Sequence, residues 1–392
     1  MGLPTVHLFR RQPAPGAAGD PAGPPIVGSR VELQLLTTLR CNLKCSYCSI
    51  SEGGVLGSQG NVSYAFEELE RFVDTHLGGY DVYVTFYGGE PTLNLAFMQQ
   101  VMRRYPMFRF QLQTNGTLLD DLPPEVLARL SNVLVSIDGG EKVTDGYRGR
   151  GIYRQVMKNT REVRDRLAGT MTARVTWSDA STSFEEIDEL AQRFDYVYFQ
   201  FVAGEAYTPE AMEARRAVLR RLVERFFAHE EDIYPVVPLM GVVRNKLFPL
   251  RAKELYDGLT QCRVSTHLLN VMPDGKIYPC PDMMHLPEMQ QGDLRANWLK
   301  RSPLQPHAAM PCEGCEALPF CRRNCMKNLY LAYVKDQKDY RENVTEPICE
   351  LIRFLGQEVE RHDYRAWFAA LPLPQQKALR DAEVYEYVEV MP

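Results

Sequence analysis

The chain lacks the hydrophobic segments that would place it in a membrane or send it across one. No apolar run approaches the roughly 18 residues of a spanning helix, and the first residues, MGLPTVHLFRRQ, contain no apolar stretch typical of a signal peptide. An excess of positive charge is also missing, because 45 Lys and Arg residues face 50 Asp and Glu residues, for a formal net charge of −5. We therefore expect no membrane partner, no nucleic-acid partner and a cytoplasmic location.

Disulfide bonds are not expected either, although the chain has ten cysteines. Disulfides are rare in a reducing compartment, where clustered cysteines more often bind metal or take part in catalysis. Three of the ten lie within residues 41–48, and the other seven lie within residues 262–349. This distribution predicts two metal-binding regions that are far apart in the sequence.

A repeated pattern of strand followed by helix begins at Arg30. Strands that alternate with helices predict parallel strands joined by right-handed crossovers, in an open sheet or a partial barrel. In either architecture, functional residues are expected at the C-terminal ends of the strands. The predicted strands are 31–36, 81–86, 108–113, 132–137, 171–177 and 195–202, and the predicted helices between them are 64–76, 95–104, 124–130, 153–167 and 184–193.

Composition divides the chain into five predicted units. The first is a flexible leader rich in Pro, Ala and Gly, and the second contains the strand–helix pattern and ends in a long charged helix over 208–230. A linker leads to the cysteine-rich unit, which has little periodicity and is expected to be held together by bound metal. The last unit is predicted to be helical, with a final strand at 384–390. The five units are 1–29, 30–230, 231–261, 262–350 and 351–392.

Cys41, Cys45 and Cys48 form a C-x₃-C-x₂-C run directly after the first predicted strand. Three thiolates this close on one loop suit three irons of a [4Fe–4S] cluster and leave the fourth iron open to a Lewis-basic ligand. A zinc site is the alternative, but it would need a fourth ligand, and no His or Cys follows closely. The run therefore favours an iron–sulfur cluster with one open iron.

This run resembles the hallmark of the radical S-adenosylmethionine (SAM) superfamily, C-x₃-C-x-φ-C, in which φ is aromatic and is Tyr47 in this chain. The resemblance implies that the open iron chelates the amino and carboxylate groups of SAM, and that one electron from the cluster cleaves the sulfonium. It further implies that the resulting 5′-deoxyadenosyl radical removes a hydrogen atom from the substrate. A reductant such as flavodoxin or ferredoxin is the expected electron donor.

Other motifs of the superfamily follow in the expected order. Residues 87–91, YGGEP, resemble the motif whose glutamate, here Glu90, holds the SAM ammonium. Gly88 and Gly89 would let the backbone approach closely. Positions that face SAM or substrate in the family correspond here to Asn115, Ser136, Asp138 and Arg148.

Three of the candidate positions have a structural alternative. Asp138 is as well suited to capping its turn as to contacting SAM. Arg174 and Gln200, on the fifth and sixth predicted strands, are further candidates for which a structural role is the alternative.

The other seven cysteines resemble the SPASM domain. Its pattern is one cysteine, then G-x₄-C, then C-x₂-C-x₅-C-x₃-C, then a last cysteine, and Gly275 takes the glycine position here. The resemblance implies two further [4Fe–4S] clusters and so three in all, whereas a zinc ribbon is the alternative. The matching residues are Cys262, Cys280, Cys312, Cys315, Cys321, Cys325 and Cys349.

In that family the cysteines interleave between the two auxiliary clusters. Carried over, Cys312, Cys315, Cys321 and Cys349 would hold one cluster, and Cys262, Cys280 and Cys325 would hold the other. Some members have one more cysteine, at the position of Tyr256 here. The second cluster would therefore have an open iron, unless His267, Asp282, water or a substrate thiolate fills that position.

Together the resemblances imply an α/β fold, a partial (β/α)₆ TIM-type barrel with a C-terminal cysteine-rich iron–sulfur (SPASM) domain. SPASM-type enzymes mostly act on peptides or proteins, so the expected function is formation of a thioether or carbon–carbon crosslink in a ribosomally made peptide. An anaerobic sulfatase-maturating enzyme is an alternative, disfavoured because Pro281 follows Cys280 where that group has Asp. A second alternative is a non-catalytic iron–sulfur carrier. The YGGEP motif and the open first cluster disfavour this alternative.

Overall fold

The structure is a computed structural model. It describes residues 30–48, 60–177, 181–201, 207–229, 232–249, 260, 262–300, 309–323 and 325–381. The predicted leader, the position of Tyr256 and the predicted last strand all lie outside the described residues.

One sheet of ten strands runs through the described part of the chain. Its strands are β1 (Arg30–Thr38), β2 (Asp81–Gly88), β3 (Arg109–Thr114), β4 (Leu130–Ser136), β5 (Thr170–Trp177), β6 (Tyr196–Phe201), β7 (Leu268–Val271), β8 (Lys276–Tyr278), β9 (Gly292–Asp293) and β10 (Trp298–Leu299). Their order across the sheet is β10-β9-β8-β7-β1-β2-β3-β4-β5-β6. The first six are parallel neighbours in chain order, as the strand–helix pattern predicts. They are buried on both faces, which is typical of parallel strands covered by helices.

Helices connect the parallel strands and cover the sheet. Each of the longer connecting helices buries one apolar side; Leu69, Phe72 and Val73 of the first helix are an example. The α-helices in the described ranges are α1 (Phe66–His76), α2 (Leu95–Arg104), α3 (Pro124–Leu127), α4 (Glu141–Arg148), α5 (Ile152–Val163), α6 (Phe184–Arg193), α7 (Pro209–Ala228), α8 (Val237–Leu247), α9 (Leu318–Cys321), α10 (Met326–Leu329), α11 (Lys338–Tyr340), α12 (Glu346–Glu360), α13 (Tyr364–Ala370) and α14 (Leu373–Asp381).

The predicted elements agree with the observed ones to within one or two residues at most of their ends. The predictions 95–104 and 184–193 match α2 and α6. The prediction 124–130 is wrong at its C-terminal end, since α3 stops at Leu127. The reason is that Leu130 already belongs to β4, where it is buried and paired with Phe110 of β3. The prediction 153–167 is also too long, because α5 ends at Val163 and gives way to a 3₁₀ turn, Arg164–Arg166.

Helix α8 lies inside the stretch 231–261 that was predicted to be a linker. Nine of its residues are buried, because β6 lies against it on one side and the C-terminal helices on the others. Val236, just before it, forms a bridge with Val197 of β6, so the helix covers that edge of the sheet. A helix enclosed in this way carries no polar side, and for that reason no helical periodicity marks it in the sequence.

The cysteine-rich region is built onto the same sheet. Strand β7 pairs in parallel with β1, with Glu32 opposite Leu268, and β8 to β10 add to it as antiparallel strands. All four residues of β7 are buried. The region therefore contributes strands to the main core, which its low periodicity did not predict.

Helix α12 joins the C-terminal region to the long helix α7. Glu350 forms an ion pair with Arg216, and Glu358 lies 3.7 Å from Arg220. Cys349 belongs to α12, so this contact also fixes the position of the last cysteine. Within the described ranges, no helix combines the length and the apolar character needed to cross a membrane.

Candidate functional site

A cavity of about 370 Å³ opens at the C-terminal ends of the parallel strands. One wall is formed by residues at the ends of β2 to β6, and the facing wall by the cysteine-rich region. Two sets of cysteines line it: those of the first cysteine loop (residues 41–48), and an inner auxiliary set made of Cys262, Cys280 and Cys325.

The remaining cysteines, Cys312, Cys315, Cys321 and Cys349, form an outer auxiliary set that does not line this cavity. Cys349 interacts electrostatically with Cys312 and Cys315, whereas Cys325 interacts with Cys262. The structure thus brings Cys312, Cys315 and Cys349 near one another, and it places Cys262, Cys280 and Cys325 on one cavity wall. Among the described residues, no three His, Cys, Asp or Glu side chains converge closely enough to hold a single metal ion.

Burial makes several of the cysteines poor thiolates in the absence of metal. It raises the pKa of Cys45 to about 11, although the Arg148 guanidinium opposes the shift. It also raises the pKa of Cys325 and of Cys349 to about 12. Binding of iron to these thiols would therefore release protons. Sets of three or four cysteine thiols fit [4Fe–4S] clusters by the chemistry of their donor atoms.

Asp138 connects the first cysteine loop to helix α4. Its carboxylate oxygens accept hydrogen bonds from the Tyr47 hydroxyl at 3.0 and 2.9 Å. They also accept from Nε and Nη2 of Arg148 at 2.8 and 2.9 Å. Asp138 is fully buried behind the cavity wall, whereas Tyr47 and Arg148 line the cavity. Its side chain therefore holds the two lining residues in position and does not itself line the cavity.

Glu90 is likewise fully buried and is not among the cavity-lining residues. Its Oε1 accepts from the backbone N–H and the hydroxyl of Thr92 at 3.1 and 2.7 Å, and from the Thr114 hydroxyl at 2.9 Å. Its Oε2 accepts from the backbone N–H of Asn115 at 2.8 Å. Burial raises the pKa of Glu90, and these hydrogen bonds oppose the shift. The carboxylate ties the end of β2 to the end of β3, directly beneath the predicted SAM site.

Gly88 and Gly89 line the cavity and allow the backbone to approach the first cysteine loop. A Cβ on Gly88, whose φ is +141°, would lie 2.1 Å from the carbonyl oxygen of Thr38. A Cβ on Gly89 would lie 2.3 Å from the carbonyl oxygen of Arg40. The sequence predicted a close backbone approach here, and the structure shows that β1 and the chain leading to Cys41 are the partners.

Asn115 forms a network with Asn42, a residue that the sequence did not single out. The side-chain amide of Asn115 donates to Oδ1 of Asn42 at 2.8 Å and to Sγ of Cys41 at 3.7 Å. Asn42 in turn donates to the Thr117 hydroxyl at 2.7 Å. The only sequence signal for this role is a short polar side chain directly after the first cysteine.

The other predicted candidates fall into two groups. Ser136, Arg174 and Gln200 all line the cavity, and Nη2 of Arg174 donates to Oε1 of Gln200 at 3.2 Å. Of the two side chains proposed to close the inner auxiliary cluster, Asp282 lines the cavity. His267 is buried outside the lining, with its Nδ1 3.0 Å from the Thr266 hydroxyl.

Replacing Glu90 with Gln should weaken both the fold and SAM binding. The amide would turn an N–H₂ group toward at least one of the donors that the carboxylate now accepts from. Loss of such a charge-assisted hydrogen bond is worth about 1.5–3 kcal/mol, so the free energy of unfolding should fall by about that amount. Displacement of the strand ends should lower SAM affinity about 10- to 100-fold. Denaturant titration and calorimetry with SAM measure the two effects.

The control for this variant is Glu67→Gln, at an exposed position of α1. It should change neither quantity by more than about 0.5 kcal/mol. If Glu90→Gln behaves like Glu67→Gln, the buried carboxylate has no role in holding the strand ends.

Known proteins show the same domain and fold. Residues 35–176 match the family model of the radical SAM superfamily. Mycofactocin maturase MftC of Mycobacterium ulcerans (strain Agy99) is 25% identical over 316 residues, covering 74% of this chain and 81% of that protein.

Two solved structures resemble the whole described fold. Native anSMEcpe with bound AdoMet has a TM-score of 0.65 at 18% identity and covers 87% of this chain and 100% of that one. Streptococcus suis SuiB bound to precursor peptide SuiA has a TM-score of 0.56 at 18% identity and covers 80% and 74%. The predicted α/β fold, a partial barrel with a cysteine-rich C-terminal region, is confirmed. The chain therefore contains a radical SAM domain over residues 35–176, and beyond that domain it is similar to the peptide-modifying maturases of the same superfamily.

Proposed function

We propose that this enzyme modifies a peptide or protein with SAM and three [4Fe–4S] clusters. The observation that carries the proposal is the single cavity lined by both the first cysteine loop and the inner auxiliary set. A substrate in that cavity would lie between the cluster that cleaves SAM and a second cluster. The names of two relatives agree with a peptide substrate, since MftC is a maturase and SuiB binds a precursor peptide.

When bound, SAM and the first cluster supply the radical that removes a hydrogen atom from the substrate. The chain's own residues hold and shield that chemistry. Asn42 and Asn115 fix the first cysteine loop, and Asp138 holds the Tyr47 ring and the Arg148 guanidinium at the cavity wall. Apolar side chains on the facing wall exclude water from the cavity; they include Val264, Leu268, Met283, Met326 and Ile348.

The inner auxiliary set has three cysteines, so a cluster there would have one iron without a cysteine ligand. We propose that a substrate thiolate takes this position, because it is a soft ligand and the set faces the substrate cavity. Asp282 is the protein side chain best placed to compete, since it lines the same cavity and His267 does not. Formation of a thioether or a carbon–carbon crosslink in a ribosomally made peptide is the finer form of the proposal. A flavodoxin- or ferredoxin-type protein would supply the electron.

Oxidation of a cysteine or serine to formylglycine is the second candidate function. Pro281 follows Cys280 where sulfatase-maturating enzymes have an aspartate base. Asp282, one position further along, nevertheless brings a carboxylate into the cavity. The carboxylate of Asp282 is the one observation that favours formylglycine formation. The mass of the modified peptide distinguishes formylglycine from a crosslink.

The proposed function predicts that SAM cleavage and peptide modification are coupled. The test incubates reconstituted enzyme anaerobically with SAM, dithionite and one peptide at a time. The peptides are the synthetic products of short open reading frames next to the gene, each with a Cys→Ala counterpart. A sulfatase-type Cys peptide is included with them. We expect one peptide to increase 5′-deoxyadenosine formation about tenfold or more, the effect of correctly positioning a substrate hydrogen. Mass spectrometry then identifies the product.

A crosslink removes two hydrogen atoms from the peptide, whereas formation of formylglycine from cysteine removes two hydrogen atoms and also replaces the sulfur with oxygen. Loss of modification in the Cys→Ala peptide supports the thiolate role, and retained crosslinking shows that carbon–carbon bond formation is the reaction. A 5′-deoxyadenosine yield that no peptide changes, with no peptide product, would contradict a peptide substrate.

A further inference from the structure

Lys327 is a partly buried cation on the wall of the cavity that the inner auxiliary set lines. It is the second residue of α10, which begins directly after Cys325. Its side chain is 17% exposed, and its Nζ lies 3.6 Å from Oδ2 of Asp282, which is 48% exposed. Water therefore screens the carboxylate of this pair much more than the ammonium.

The ion pair with Asp282 holds the Lys327 ammonium on the cavity wall that Cys262, Cys280 and Cys325 also line. Because the ammonium is the less exposed partner, its field reaches the surrounding wall with less screening by water than the field of the carboxylate. The inner auxiliary set therefore lies beside a positive charge that solvent screens only in part.

A fixed positive charge stabilises the reduced form of a nearby iron–sulfur cluster, because that form carries one more negative charge. We propose that Lys327 raises the reduction potential of the cluster held by the inner auxiliary set. This inference rests on the proposed function, which assigns a cluster to that set. Lys327 acts through the cluster and is a positioning residue, not a catalytic one. A higher potential at this wall favours transfer of an electron from a substrate radical to the cluster.

The test removes the charge and keeps the shape. Lys327→Met and Lys327→Arg would be made in full-length protein that also carries Cys41→Ala, Cys45→Ala and Cys48→Ala, so that only the auxiliary clusters contribute to the spectra. The matched control is Lys335→Met, which removes a lysine paired with Glu288 at 2.7 Å outside the cavity lining. Redox titration with dithionite, followed by electron paramagnetic resonance, gives a midpoint potential for each cluster.

We expect one midpoint potential to fall in Lys327→Met while the other stays unchanged. The expected change is about tenfold in the reduction equilibrium constant, which equals about 59 mV for one electron. Lys327→Arg should keep the original potential because it keeps the charge, and Lys335→Met should leave both potentials unchanged.

Iron content separates failure of this inference from failure of the proposed function. If the parent variant holds iron for fewer than two clusters, the proposed function fails and the inference fails with it. If two clusters are present and Lys327→Met moves neither potential, only the inference is overturned. Equal shifts in the Met and Arg variants would also overturn it. So would loss of one cluster's iron from the Met variant alone, because the charge would then serve assembly rather than the potential.

Discussion

Replacing Cys41, Cys45 and Cys48 together by alanine is expected to abolish SAM cleavage and leave two clusters in place. The first cysteine loop supplies all three thiols on its side of the cavity, and the two auxiliary sets lie more than 200 residues later in the chain. Iron in anaerobically reconstituted protein should fall from about 12 to about 8 per chain. Iron and sulfide analysis, together with chromatography for 5′-deoxyadenosine, measures both effects.

A comparison variant should give the opposite combination. Replacing Cys312 and Cys315 by alanine should remove a similar amount of iron, but reductive SAM cleavage should persist because the outer auxiliary set lies away from the cavity. Wild-type protein with iron near four per chain, or with stoichiometric zinc, would refute the three-cluster proposal. Loss of all iron from the triple alanine variant would show that the sets do not assemble independently.

Asp138→Asn is expected to lower stability more than Glu90→Gln does. Asp138 is fully buried, and its two oxygens accept four short contacts from Tyr47 and Arg148. Asparagine has one acceptor oxygen and no charge, so the buried guanidinium would lose its counter-ion. Breaking a buried ion pair from one side costs about 3–5 kcal/mol, and the free energy of unfolding should fall by that amount in a denaturant titration.

Helix α4, which contains Arg148, provides a control for this substitution. Glu141 forms an ion pair with Arg154 at 2.8 Å, but the two side chains are 43% and 77% exposed. Glu141→Gln should therefore cost less than about 1 kcal/mol. Asp138→Asn should also weaken SAM binding, because Tyr47 and Arg148 lose their positions at the cavity wall, whereas Glu141→Gln should not. Equal stability of the two variants would mean that Asp138 is not a structural anchor.

The parallel core could be predicted from the sequence because its signals are local. Each of the six strands is a short apolar run, and each connecting helix carries its own apolar side. Helix α8 escaped prediction because it is enclosed on all sides. Strand β7 escaped because three apolar residues and one asparagine in a cysteine-rich segment carry no period of their own. In both cases burial depends on elements that are distant in the sequence.

The same limit applies to the site. Motif spacing and resemblance identified the residues at the cavity, including Ser136 and Arg148, but not the partner of each side chain. Tyr47 and Asp138 are 91 positions apart, and nothing in either motif indicates that one binds the other. Lys327 was missed for a related reason, since a lysine two residues after a cysteine is ordinary until the fold places Asp282 beside it.

Pairing of β7 with β1 limits how far this enzyme can be treated as separable modules. Strand β1 leads into the first cysteine loop, and β7 lies between Cys262 and Cys280, so one hydrogen-bonded ladder sets the spacing between the two walls of the cavity. A fragment that ends before residue 262 would expose the backbone of β1 as a free edge, which invites pairing with other chains. Exchange of the cysteine-rich region between related enzymes would therefore have to preserve the register in which Glu32 faces Leu268, since a shift of one residue would turn every side chain of β7 to the opposite face.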